Sequence, residues 1–147
     1  MIETQLEQDI KTAMLAGNKE RVLTLKTLKS VLLSSKVAGG TRDSLLPDSE
    51  VITLFSKEAK KRQESADLYK QGGNEAKATT ELNEKAIIET YLPAQLTEAE
   101  VIMIIDKVIA NLGTSAVMGP VIGQVKAQTN GAADGALIAK LVKEKLA

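Results

Sequence analysis

The 147-residue sequence contains neither cysteine nor histidine. The missing cysteine excludes disulfides, thiolate nucleophiles and zinc ribbons, and it suits a reducing compartment, so the cytoplasm is the expected location. The missing histidine removes the commonest general base at neutral pH and the usual metal ligand. Aromatic residues are reduced to Phe55, Tyr69 and Tyr91, too few for the base-stacking platforms of OB-folds and RRMs. Apolar runs are only a few residues long, far below the roughly 20 needed to span a bilayer. The opening Met1-Ile2-Glu3-Thr4-Gln5-Leu6-Glu7 carries acids where a signal peptide carries cations. Neither membrane association nor export is expected. An excess of one charge is also lacking: 19 basic residues balance 19 acidic ones. With no global positive field, any RNA contact must come from a local patch, and DNA is not an expected partner.

What is present is helical periodicity from end to end. Ile2, Leu6, Ile10, Ala13 and Met14 share one face and predict a helix over about 2–16, stopped by Gly17-Asn18. Val22, Leu25, Leu28, Val31 and Leu32 predict a second over 19–36. Residues 37–46, with Gly39-Gly40-Thr41-Arg42-Asp43-Ser44, have no apolar period and read as a mobile loop. A third helix opens at Pro47, where a missing N–H costs nothing, and runs to Gln71-Gly72-Gly73-Asn74. The fourth takes up Ala78, Leu82, Ala86, Ile87 and Tyr91 and must end before Pro93.

Thr97-Glu98-Ala99-Glu100 is a capping box that starts a fifth helix, closed by Gly113. A sixth starts near Met118, since Pro120 is tolerated only in a first turn, and a seventh follows Asp134, whose carboxylate is expected to cap its first amides. No segment alternates with period two. The expected fold is therefore all-α: a bundle-like N-terminal domain of about four helices over 1–92, then a smaller three-helix domain over 97–147, with Leu92 to Leu96 as the boundary.

The chemistry-bearing constellations are weak. Ser34-Ser35-Lys36 superficially resembles amidase serine and lysine chemistry but lacks the glycine-rich setting and the second distant lysine such chemistry needs, and it reads as a fraying polar helix end. Glu58, Glu64, Asp67, Glu81, Glu84 and Glu89 lie mostly beside lysines, as on solvated helix faces. No phosphate-cradling glycine motif occurs, and the carboxylates lack metal-binding spacing. No catalytic residue, cofactor or metal site is expected. Two basic groupings are candidate anion sites. Lys57, Lys60, Lys61 and Arg62 cover about a turn and a half of the third helix, enlarged by Lys26 and Lys29 if the second helix lies alongside. Lys126, Lys140 and Lys143 flank the start of the seventh helix, framed by Gly131 and Gly135, where free amides attract anions. Gly119 and Gly123 give the sixth helix a smooth face, for which packing against another helix is the ordinary reason.

Three stretches carry a family resemblance: Tyr91-Leu92-Pro93-Ala94-Gln95-Leu96-Thr97, Met118-Gly119-Pro120-Val121-Ile122-Gly123, and Ala133-Asp134-Gly135-Ala136-Leu137-Ile138-Ala139-Lys140-Leu141-Val142. In order and spacing, and in the Leu45-Leu46-Pro47-Asp48-Ser49-Glu50 segment, the sequence resembles GatB/YqeY proteins. The family usually has Ser or Thr where Leu46 stands and a residue other than proline at Pro120. The resemblance implies a helical N-terminal domain followed by a three-helix domain similar to the tail of the B subunit of glutamyl- and aspartyl-tRNA amidotransferase, a module that helps hold the tRNA body. A similar module is appended to some glutaminyl-tRNA synthetases.

The implied family term is carbon–nitrogen ligase activity with glutamine as amido donor. The residues present offer no nucleophile and base pair, so a non-catalytic tRNA-binding accessory role is expected, beside an amidotransferase or an aminoacyl-tRNA synthetase. The alternative is a helical protein–protein adaptor. After residue 113, Lys126, Lys140, Lys143 and Lys145 face only Asp134 and Glu144, an excess of two positive charges that favours the first reading.

Overall fold

The computed structural model describes residues 1–147 and contains seven α-helices and no strand. The helices are α1 (Ile2–Leu15), α2 (Lys19–Ala38), α3 (Asp48–Gln71), α4 (Glu75–Glu89), α5 (Glu98–Leu112), α6 (Met118–Thr129) and α7 (Gly135–Leu146), with one 3-10 turn at Gly113–Ser115 after α5. The all-α expectation holds. The chain divides into two compact units, Met1–Leu92 and Pro93–Ala147.

In the first unit the apolar stripes of α1, α2, α3 and α4 meet around Leu6, Ile10, Leu25, Leu28, Leu32, Val51, Phe55 and Ile88. Asparagine side chains set two helix starts. Asn18 accepts from the Arg21 amide and Asn74 from the Lys77 amide, each replacing a partner that a helix start otherwise lacks. Asn74 moves the start of α4 to Glu75, ahead of the first buried residue, Ala78. Beyond the main core, α3 and α4 continue as a hairpin closed by the buried Ala66 and Ala78, small enough to let the backbones approach.

Polar groups fix the remainder. The Glu3 carboxylate is buried, pairs with Lys36 and accepts the Leu46 amide at 2.8 Å. Asp48 accepts the Ile2 amide at 2.9 Å. The segment read as a mobile loop therefore ends anchored, with Leu46 buried. Tyr91 stacks edge-on against Phe55, with ring centroids 5.7 Å apart and planes at 75°, and its hydroxyl donates to Asp9.

Burial, and the hydrogen bond to the Asp9 carboxylate, push the Tyr91 phenol well above its ordinary range. The neutral phenol is thus favoured by folding. Its contribution is complete below the unfolded value of about 10 and disappears as pH rises through the folded value. The wild type should accordingly lose stability above about pH 10 more steeply than Tyr91→Phe, which cannot ionise. Urea midpoints of the two proteins across this range check it. Parallel midpoints would mean that Tyr91 is not the group responsible.

In the second unit, Val101, Ile105, Val108, Val121, Val125, Ile138, Leu141 and Val142 form one core shared by α5, α6 and α7. Both halves of the α5 capping box are made: the Glu100 amide donates to Thr97 Oγ1 at 3.2 Å, and the Thr97 amide to Glu100 at 2.9 Å. Pro120 sits third in α6, where no intrahelical partner is lost.

Candidate nucleic-acid interface

The turn between α6 and α7 is built by conformation rather than by apolar packing alone. Asn130 adopts the left-handed region (φ 42°, ψ 54°), and its amide closes α6 on the Lys126 carbonyl at 3.0 Å. Asparagine tolerates that conformation at low cost, and Gly131 follows it at φ 86°. The preceding segment then clamps the turn. The Leu96 amide donates to the Ala132 carbonyl at 2.7 Å, and the Gln95 side-chain amide to the Gly131 carbonyl at 3.1 Å. Thr129, buried, back-bonds to Val125 at 2.9 Å.

This turn fixes where the Lys126 side chain goes. A Cβ built on Gly135 would lie 3.3 Å from Lys126 Cε and 3.5 Å from its Nζ. Glycine at the first position of α7 therefore leaves the space in which the lysine lies, and the ammonium rests beside the helix start. The backbone amides there carry the positive end of the helix dipole. Two sources of positive potential thus stand together beside the carboxylate-bearing Asp134, the residue that precedes the helix. The expectation that Asp134 caps these amides is not met: its side chain makes no capping hydrogen bond.

Lys140 and Lys143 are exposed. They lie one turn apart on the side of α7 away from Ile138 and Leu141, roughly 7 to 12 Å along the axis from Gly135. Lys145 is instead drawn to Asp106 at 3.2 Å. Gly119 and Gly123 have no atom within 4 Å of an added Cβ, so no helix of this unit packs on that face of α6. The exposed Ala127 continues it. The stripe that ordinarily signals helix packing is here an open, smooth surface leading to Lys126.

The other basic grouping is arranged differently. Lys57 and Lys61 are exposed, and Lys61 reaches Glu58 at 3.2 Å. Lys60 is exposed as well. Arg62 is turned inward, its side chain only 18% exposed, among Glu58, Glu81 and Glu84. Its Nε lies 2.9 Å from Glu84 but is not aligned for a hydrogen bond, so the contact is one of charge attraction. Glu58, Glu81 and Glu84 are accordingly not the solvated residues that the pattern suggested; they hold the α3–α4 hairpin together. Lys29 is paired with Glu7 at 3.0 Å and does not extend this patch.

The remaining motif, Ser34-Ser35-Lys36, has its lysine committed to Glu3. Ser35 lines an open groove with Ser49, Glu50, Thr53 and Leu54. No group of three carboxylates is placed to hold a metal ion, and no helix is long and apolar enough to cross a membrane.

The family described as Yqey-like protein matches residues 3–146, nearly the whole chain. The chain belongs to that family. Among curated proteins there is no match. Within this YqeY-like chain, sequence reasoning located Lys126 and Gly135 but missed that one packs across the other. The only available signal was the glycine at a helix's first position, directly after an N-cap residue.

Proposed function

We propose that the protein is a tRNA-associated accessory module, cytoplasmic and non-catalytic, which holds RNA phosphates at the α6–α7 end of its second unit. It is similar in this to the tail of the tRNA-dependent amidotransferase B subunit, and it acts beside an amidotransferase or an aminoacyl-tRNA synthetase. The family term, carbon–nitrogen ligase activity with glutamine as amido donor, then describes the partner enzyme rather than this chain. The observation that carries the reading is the Lys126 ammonium laid across Gly135 at the start of α7, with Lys140 and Lys143 on the adjoining outer face. Phosphate contacts of this kind position nucleic acid without reading its sequence, so binding is weak, general among tRNAs and steeply salt-dependent.

The test is a gel-shift titration of bulk tRNA with wild type and with Lys126→Ala, Lys140→Ala and Lys143→Ala combined. The triple variant should bind about tenfold or more weakly at low salt, and its salt slope should flatten by roughly one unit for each lysine that meets a phosphate. A triple variant that circular dichroism shows folded, and that binds as well as wild type, would move the site elsewhere. Lys57→Ala with Lys60→Ala serves as the comparison at the other basic grouping.

A second reading, a helical adaptor, has its own support. Met14, Leu15 and Leu23 are 55%, 91% and 65% exposed around the α1–α2 turn.

A further inference from the structure

The α2 helix has two apolar faces. One is the core face, with Leu25, Leu28 and Leu32 buried. The other is opposite. At about 100° per residue, positions 19, 23, 26, 30, 33 and 37 fall within roughly 80° of one another on the side away from Leu28. They are Lys19, Leu23, Lys26, Ser30, Leu33 and Val37, all exposed. Leu23, Leu33 and Val37 stay 65%, 43% and 56% exposed. The spacing between successive members alternates four and three. That alternation keeps a seam in register with a second helix crossing at a shallow angle, and neither a flat sheet nor a nucleic-acid backbone requires it.

Charge selects the occupant. Neither Lys19 nor Lys26 makes an ion pair, and no acid lies on the stripe, so the face presents two uncompensated cations between its apolar residues. A second copy in antiparallel register would set Leu23 against Leu33 of the other chain, but it would also gather four unneutralised lysines in one interface. An acidic partner neutralises both lysines instead. We infer that the outer face of α2 is a docking surface for an amphipathic helix of another protein, about five turns long, with apolar residues at heptad spacing and carboxylates opposite Lys19 and Lys26. This inference does not depend on the tRNA reading, and no residue of the α6–α7 end takes part in it.

The probe is a labelled synthetic helix of about 18 residues, roughly 27 Å long, with leucine at heptad positions and glutamate where it would face Lys19 and Lys26. A counterpart carries lysine in place of those glutamates. By fluorescence anisotropy, the full-length protein should bind the acidic helix at least about tenfold more tightly than the basic one. Lys19→Glu with Lys26→Glu should exchange that preference. Leu23→Ser with Leu33→Ser should abolish binding of either peptide while circular dichroism stays unchanged, because all four side chains are exposed.

Failure to bind the acidic helix, or binding that ignores peptide charge, would overturn the inference. So would concentration-dependent dimerisation of the wild type that Leu23→Ser with Leu33→Ser removes, which would make a second copy the occupant. Sedimentation with phosphatidylglycerol vesicles, lost in the same variant while neither peptide binds, would assign the face to lipid and overturn it equally.

Discussion

Replacing Arg62 by methionine is expected to lower the unfolding free energy of the first unit by about 2–4 kcal/mol, somewhat less than the roughly 3–5 for breaking a fully buried pair, because the partners retain some solvent. The guanidinium is 18% exposed and faces Glu58, Glu81 and Glu84, whose side chains are 10%, 23% and 21% exposed. Methionine fills similar space, so the loss would reflect three carboxylates left facing one another across the α3–α4 hairpin. Urea denaturation followed by circular dichroism measures it. Adding Glu84→Gln should restore part of the stability, so that the double variant loses less than the sum of the singles. Additive losses would show that the cluster is not electrostatically coupled.

The second large effect is expected at Phe55. Its ring is fully buried where α1, α2, α3 and α4 converge, and it meets Tyr91 edge-on. Phe55→Ala should cost about 3–5 kcal/mol, the range for deleting a buried aromatic ring and leaving a cavity. It should also weaken the near-ultraviolet dichroism of Tyr91, which loses its ordered neighbour. Phe55→Leu keeps most of the volume and should cost markedly less. If Phe55→Ala lost under about 1 kcal/mol, the described docking of α3 could not be right, since even a single buried methylene contributes close to that much.

Much of this fold can be read from the sequence because its helices advertise themselves locally. Gly17, Gly73 and Gly113, all at positive φ, mark helix ends, and Thr97 with Glu100 marks a start. Displaced boundaries have separate causes: the Asn74 side chain starts α4 ahead of its apolar stripe, and α2 runs on through Val37 and Ala38 until Gly39 ends it. Partners between helices are not legible, because they depend on which faces meet. Arg62 reads as one more cation in a basic run until α4 brings Glu81 and Glu84 against it. Lys36 reads as a fraying end until Glu3 accepts it. At the candidate site the residue types were visible, but the laying of Lys126 across Gly135 depends on the left-handed Asn130 turn. Nor does the second face of α2 stand out, since apolar residues on both sides of a helix weaken the periodic signal that pattern reading relies on.

The Glu3 latch also bears on the order in which the first unit assembles. Its contacts join Glu3 to Lys36 and Leu46 across 33 and 43 positions of sequence, and Ile2 to Asp48 across 46. The α3–α4 hairpin, by contrast, closes through the short turn at Gly72, Gly73 and Asn74. Longer closures cost more chain entropy and yield nothing until the intervening helices exist, so the hairpin is expected to form early and the latch late. Interactions absent from the folding transition state act on the unfolding rate. Glu3 and Lys36 would then govern how long the folded unit persists and leave the speed of its formation to the hairpin and the leucines of α2.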